Sequence, residues 1–393
     1  MFSIRIPLRD EYSVLCGMEE AEESEGFFWE VSDFREEGRC LHELSDIILL
    51  VLCGLLADCD TFEEIYDYAC DKEPVLRRLL ALPAGIPSSY TLQRVFRHLN
   101  PVELEASLLR WGQELMQLLV GHQLVIDGKQ LRGTRLPGQR QAAVQLVSVW
   151  AAEQRLCLAQ TQVAAKRNER VAIPQVLDLV AVRGSVVSID AMGCQRAVAA
   201  TLVARGADYL LALKDNQQAL AEQVRDHFAP LLSQPPAFVQ WEKDHGRTEE
   251  RRVWVSQHLD LVEETADWTG LSTLVCVQTQ RWQQGRHQHS TRYYLSSLTH
   301  ASAAQLAGYV RGHWGIENHL HWHLDVPFAE DACRCRQGHA SRNLATLRKL
   351  ALTLLRRDPT KMSLNRKRKK AARDDTFLFQ LLAQLPEKAE TAN

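Results

Sequence analysis

No stretch of this 393-residue chain is long and apolar enough to cross a bilayer. The longest apolar run, Ile47 to Ala57, falls well short of the ~20 residues a membrane helix needs. The first residues, MFSIRIPLRDEY, lack the basic-then-apolar layout of a secretory leader. A soluble, cytoplasmic protein with no membrane partner is the expectation. The ten cysteines show no repeated CxxC pattern, and several (Cys53, Cys194, Cys276) sit in apolar runs. That favours reduced, buried thiols over a disulfide framework. Cys333-x-Cys335 lies near His319, His321 and His323, but the spacing is not that of a zinc loop, and on a helix only His319 and His323 share a face. A large net charge is missing too: 46 Lys+Arg against 49 Asp+Glu leave −3. Nor is there an internal repeat of the length that builds solenoids.

What is present is an ordinary globular composition, 46% hydrophobic and 24% charged, in a chain long enough for two or more domains. Charge is unevenly spread. Glu19 to Glu37 is acidic, and Arg356 to Arg373 is basic around the run RKRKK, which reads as a local basic surface or a solvated helix end. Residues 1–40 show little periodicity. Residues 41–121 are helical throughout: a buried helix at LHELSDIILLVLCGLLA, a capping box of Thr61 and Glu64, and a helix opened by Asn100, Pro101 and Glu103. Between them, PAGIPSSYTLQRVFRHL reads as a turn, a serine cap and a short helix exposing Arg94 and Arg97. That layout is compatible with a helix-turn-helix reading head or with a plain capped helix.

At His122 the period changes. LVID is an apolar strand closed by Asp127, and two strand-like runs meet at Glu153-Gln154. A helix follows from Pro174 to Val182, then SVVSID, a strand closed by Asp190, a helix from Cys194, and the strand DYLLALK ending at Lys214. This is an α/β arrangement with a mixed sheet over residues 122–217. Residues 218–300 read as a β-rich insertion that interrupts it, 301–358 as its second part, and 359–393 as a basic tail. Arg311 to Asp331 looks helical over most of its length. Leu306, Val310, His313, Glu317, Leu320 and Leu324 recur at helical steps, which places Glu317 on the inward stripe, beside a polar row of Arg311, Asn318 and Asp325. His319 and Asn318 could orient its carboxylate; Trp314 and Trp322 are expected in the core.

Asp127 and Asp190 each close a short apolar strand before a glycine-containing turn, where α/β folds present side chains to ligands. If those strands are neighbours and the Glu317 helix packs on the sheet, three acids converge. Like charges in one site repel unless a divalent cation neutralises them. Mg²⁺ suits carboxylate oxygens, with Mn²⁺ able to substitute, and two such ions support phosphodiester chemistry. Lys129 and Arg132 follow the first acid and could grip flanking phosphates.

IDGK with LRG, SIDAMGCQ, LALKDNQ and RGHWGIENHLHWHLDVPFAEDACR together resemble the motifs of DDE-type insertion-sequence transposases, in the H-repeat-associated branch. The resemblance runs from about His42 to about Phe379. It implies a ribonuclease-H-like core with a β-strand insertion before the third acid, and a helical N-terminal domain of the transposase-associated kind. It maps Asp127, Asp190 and Glu317 onto the catalytic, metal-binding acids. It also implies double-stranded DNA, as element ends and target, as partner, with a homo-oligomer on the DNA. A nuclease or resolvase on the same core, or a catalytically silent DNA-binding relic, are the alternatives. Two departures stand out. In the Tyr-x2-Arg-x3-Glu-x6-Lys signature of related transposases, His313 takes the arginine position and Leu324 the lysine position, leaving Arg311, His313 and Lys214 as candidate phosphate-holding cations. KRNERVAIP adds charge, with Lys166 and Arg167 as further DNA contacts and Arg170 beside them.

Overall fold

The computed structural model describes residues 27–385 apart from 29, 37, 117–120, 136–142, 164–168 and 245. Lys166, Arg167 and most of residues 1–40, which the sequence reading takes as an irregular segment, lie outside the described set. The chain divides into two units, each discontinuous in sequence. The described residues of 1–114, 130–144 and 321–393 form one, and those of 115–129 and 145–320 the other.

The first unit opens with α1 (Leu44–Leu56), α2 (Phe62–Asp71), α3 (Glu73–Leu76), α4 (Ser89–His98) and α5 (Pro101–Met116). The apolar run of α1 is buried on nearly every side, so it needs neighbours all round. Gly54 admits one of them, since a Cβ there would sit 2.7 Å from Ile65 Cγ1 of α2. Thr61 and Glu64 form the expected capping box at the start of α2, and the Ser88 side chain accepts from Thr91 N to start α4. Leu92, Val95 and Phe96 of α4 are buried, each worth about 1.5–3 kcal/mol of transfer free energy. Tyr90, Gln93, Arg94 and Arg97 face out, and they follow the i, i+3, i+4, i+7 spacing of one helix face.

The second unit is a nine-stranded sheet: β1 (Gln123–Gln130), β2 (Gln145–Ala151), β3 (Leu156–Val163), β4 (Val186–Ile189), β5 (Asp208–Leu213), β6 (Phe238–Asp244), β7 (Arg247–Ser256), β8 (Thr273–Gln283) and β9 (Arg286–Ser296), in the order β3-β2-β1-β4-β5-β9-β8-β7-β6. β1, β4 and β5 run parallel, and β2 and β3 pair antiparallel. These five make the ribonuclease-H-like core. The β-rich stretch does not interrupt the sheet but lengthens it. β9 pairs antiparallel with β5, and β8, β7 and β6 follow in antiparallel register.

The unit's helices are α6 (Glu169–Leu179), α7 (Arg196–Ala204), α8 (Gln218–Leu231) and α9 (Ala303–His313). α6 begins ahead of Pro174 and carries that proline inside it, whereas the sequence reading starts the helix there. α9 opens on a capping box from Ser302 and Gln305. Its Leu306 and Val310 pack with Leu210, Val253, Val275 and Tyr294 of the sheet, fixing the helix that leads to Glu317.

Back in the first unit, α10 (Trp322–Asp325), α11 (Ala340–Arg357), α12 (Leu364–Ala371) and α13 (Asp375–Leu382) complete the chain. α11 packs on α1, α4 and α12. The basic run does not form a uniformly solvated face. Lys367 and Arg368 are buried, 4% and 0% exposed. Lys367 Nζ donates to Leu355 O and Asp358 O. Arg368 donates to the carbonyls of Leu55, Cys59 and Pro327 and to the Asp60 carboxylate. Nothing among the described residues is a helix long and apolar enough to cross a membrane, and the nine described cysteines are free.

Candidate active site

Parallel pairing of β1 with β4 sets Ile126 opposite Ile189, and one step further brings Asp127 level with Asp190. Adjacent strands lie about 4.8 Å apart, so the register alone makes the two carboxylates neighbours. Asp190 directly follows β4 as expected, while β1 continues past Asp127 to Gln130. The Asp190 carboxylate accepts from Met192 N at 3.0 Å and caps the short turn Ala191–Gly193. Burial pushes its pKa up, opposed by the backbone donors of Met192 and Gly193 and by the charge of Lys214.

That turn is clamped from β5's far end. Asn216 Nδ2 donates to Ala191 O at 2.7 Å and to Cys194 O at 3.4 Å, and Gln217 Nε2 donates to Cys194 O at 3.0 Å. Gly193 is needed because a Cβ there would meet Ile189 Cγ2 at 2.3 Å and Ile173 Cδ1 at 2.8 Å. The LKDNQ and AMG motifs are thus two halves of one support for Asp190. Sequence reasoning singled out Lys214 in the first of them and overlooked Asn216 and Gln217.

The third acid differs from expectation. Of the six positions on the presumed inward stripe, Leu306, Val310, His313, Leu320 and Leu324 are buried, but Glu317 is exposed. α9 ends at His313, and Glu317–His321 is a π-helical turn. A π turn holds more residues than an α turn, so Ile316, 2% exposed, takes the inward place and Glu317 turns outward. It does not reach the core; it reaches a crevice. Asp127, Asp190 and Glu317 all line one cavity of about 890 Å³, and carboxylate oxygens of Asp127 and Glu317 come within 4.8 Å of each other. Hard oxygen donors this close match the needs of a divalent cation. His321 closes the same π turn one turn along from Glu317 and is buried.

Two glycines bring the helix down onto the sheet. A Cβ on Gly312 would lie 2.0 Å from Gln123 Oε1, and one on Gly315 would lie 3.0 Å from Trp150. Gln123 Nε2 donates to Ser188 Oγ and to Tyr309 O, at 2.8 and 2.7 Å. His319 stacks on Trp150 with centroids 6.3 Å apart.

The cations are redistributed. His313 offers none: it is 5% exposed, its Nδ1 is 3.2 Å from Ser188 Oγ, and burial lowers its pKa to about 4. Arg311 pairs with Glu242 of β6 at 3.4 Å and does not line the cavity. Lys214 does line it, joined by Arg225 of α8 and Arg292 of β9, which sequence reasoning missed. The β5–β9 register, with Leu213 opposite Tyr293, carries Arg292 to the level of Lys214, but that pairing is invisible along the chain. Arg292 also covers the Trp314 ring at 4.2 Å. Trp314 and Trp322 are 36% and 52% exposed, not core residues. Asn318 is exposed, and Lys129 lies half-buried within β1. In the helical unit, Arg132 pairs with Asp331 at 3.5 Å, while Arg94 and Arg97 line a separate cavity of about 740 Å³.

Carboxylates gathered on one cavity beside adjacent parallel strands are the arrangement expected of the nuclease–transposase class of enzymes. The family models and the curated relatives agree with that class. Residues 121–354 match the Transposase DDE domain model, and residues 26–112 match the DDE_Tnp_1-associated model. YncI of Escherichia coli O157:H7, which its name places among transposases, is 35% identical over 91% of this chain and 93% of its own. The H repeat-associated protein YhhI of Escherichia coli strain K12 is 32% identical over 90% of this chain and 96% of its own. A solved structure of piggyBac transposase in a synaptic complex with hairpin DNA aligns with TM-score 0.42 at 11% identity, covering 92% of this chain and 77% of that one. The chain belongs to the DDE transposase family. Membership implies divalent metal ions, for which the acids above supply suitable donors.

Proposed function

We propose that this protein cleaves phosphodiester bonds at the ends of a mobile DNA element and joins the freed 3′-hydroxyl to target DNA, with Asp127, Asp190 and Glu317 holding Mg²⁺ or Mn²⁺. The observation that carries this reading is the convergence of the three acids on one cavity, two of them with oxygens within 4.8 Å. Bound there, divalent cations supply charge stabilisation to the attacking and leaving oxygens. The chain's own groups then have distinct tasks. Met192 N and the Asn216–Gln217 clamp hold Asp190 in place. Lys214, Arg225 and Arg292 put positive charge on the cavity wall, where a phosphate backbone would be held and oriented.

Arg94 and Arg97 are further contacts of the same reading, on the exposed face of α4, and Lys129, Arg132 and Asn318 are others. Lys166 and Arg167 belong with them, outside the described residues. A homo-oligomer is part of the proposal as well, because two element ends must be held together to be joined.

The test supplies the full chain with Mg²⁺ and duplexes copied from the DNA bordering its gene. Nicks leaving 3′-hydroxyl ends, followed by products in which those ends are joined to a target plasmid, are expected. Cleavage without joining would favour a nuclease or resolvase, and binding without cleavage a silent DNA-binding protein.

A further inference from the structure

The helical unit has a cavity of its own, of about 740 Å³. One wall is the outer face of α4, with Tyr90, Gln93, Arg94 and Arg97. Another is the segment after the short turn Glu330–Ala332, with Arg334 and Arg336. Guanidinium groups from two separate elements thus border one space.

Backbone contacts join these walls. Gly338 has φ +53°, and a Cβ there would lie 2.3 Å from Arg97 O. His339 N donates to that same carbonyl at 3.0 Å, and Asn343 Nδ2 donates to Phe96 O and Leu99 O, each at 2.9 Å. The last carbonyls of α4 are therefore satisfied by the chain that continues from the second wall. That wall is pinned again at Gly133, where a Cβ would meet Cys333 O at 2.2 Å and whose carbonyl accepts from Arg336 Nε at 2.8 Å. The hollow is built into the fold.

Like charges bordering one cavity repel, and here they lack the usual remedy. Elsewhere in the unit Arg77 pairs with Glu73 at 2.7 Å, and Arg342 with Glu105 at 2.6 Å. Among the described residues no acid pairs with Arg94, Arg97, Arg334 or Arg336. Two acids do reach the cavity, and both are engaged. Asp60 pairs with Arg368 at 2.9 Å, and Glu63 accepts from Gln93 Nε2 at 2.7 Å. Positive charge is left over, and guanidinium forks match phosphate oxygens. A lone phosphate leaves the rest of the space unused. Phe62, Ala329, Ala332 and Ala340 add an apolar lining, and the Tyr90 side chain is 72% exposed, a ring open to stacking by a base. The volume falls within the range of about 300–1,000 Å³ that single small ligands occupy. It is too small for a double helix, whose major groove alone is about 12 Å wide.

The geometry points to a site for one unpaired nucleotide, its base against Tyr90 and the apolar lining and its phosphate among the four arginines. That nucleotide is either a residue displaced from a DNA strand or a free nucleoside phosphate, which offer the same chemistry. Only the DNA source rests on the function proposed above. Binding here uses neither a metal nor the acids Asp127, Asp190 and Glu317, so it stands or falls apart from cleavage.

The test uses the full-length protein without metal. Anisotropy compares fluorescein-labelled duplexes that are fully paired or carry one unpaired nucleotide, and calorimetry follows deoxyadenosine monophosphate and inorganic phosphate. The duplex with the unpaired nucleotide should bind about tenfold tighter. Tyr90→Ala and Arg334→Ala, both at exposed positions, should each erase that preference, whereas Tyr90→Phe, which keeps the ring, should retain it. A site for the free nucleotide would instead bind the monophosphate, lose it in the same two variants, and show no preference between duplexes. Binding of both probes that is indifferent to Tyr90 and Arg334 overturns the assignment. So does inorganic phosphate bound as tightly as the monophosphate, which would leave a simple anion site.

Discussion

His313 shows how one residue's surroundings decide its role. It occupies the place where related transposases carry an arginine, yet it lies under the site against Ser188, and burial holds it neutral with a pKa near 4. Its folded pKa is below the ordinary histidine value of about 6.5, so the unfolded chain binds the extra proton. Stability associated with the neutral ring is therefore complete above about pH 6.5 and is lost as pH falls toward 4. Replacing it by glutamine (His313→Gln) should flatten the fall in unfolding free energy over that window by up to one proton's worth, read from urea unfolding at successive pH values. An unchanged slope would mean that the ring is already protonated in the folded protein. Glu317, four residues on, is the opposite case, an acid expected inside and found at the crevice.

At the scale of elements, the site depends on a turn held by side chains from beyond the next strand. Asn216 bonds two carbonyls of the segment that follows Asp190. Asn216→Ala leaves those acceptors short of a donor, at about 1–3 kcal/mol, and should lower the turnover of DNA cleavage much more than it weakens DNA binding. Equal losses in both would assign Asn216 to DNA contact instead.

The same elements show what could be read along the chain. Asp127 and Asp190 stood out because a short apolar strand ending near an acid is a local pattern. Their adjacency was not local, since it needs the parallel pairing of β1 and β4. Arg225 and Arg292 were missed for the same reason. The outward turn of Glu317 escaped a helical template because that template assumes an unbroken α-helix, although Gly312 and Gly315 marked where the helix is pressed onto the sheet. The strands after residue 218 were recognisable as strands, but their continuation of the core sheet rests on β9 meeting β5.

For the whole molecule, the basic run near the C-terminus is an internal brace of the helical unit as much as a charged surface. Arg368 is fully buried, bonded to carbonyls of Leu55, Cys59 and Pro327 and covering the Phe328 ring at 4.3 Å. Substituting methionine (Arg368→Met) strands Asp58 and Asp60, which it pairs at 3.2 and 2.9 Å. About 3–5 kcal/mol of stability should be lost, measurable by denaturant unfolding. A loss below about 1 kcal/mol would place this arginine in the solvated class of ion pairs.

The central claim is that Asp127, Asp190 and Glu317 act as one metal-holding set. It is tested most directly by the carboxamide variants Asp127→Asn, Asp190→Asn and Glu317→Gln, each checked for an unchanged circular dichroism spectrum and assayed for Mg²⁺- and Mn²⁺-dependent cleavage of DNA from the gene's borders. Each single variant should lose at least ~10³-fold in cleavage rate while DNA binding persists, and combining two should cost little more, as expected of residues that act as a unit. A folded variant that still cleaves at a rate near that of the unaltered protein would remove its residue from the set and contradict the account.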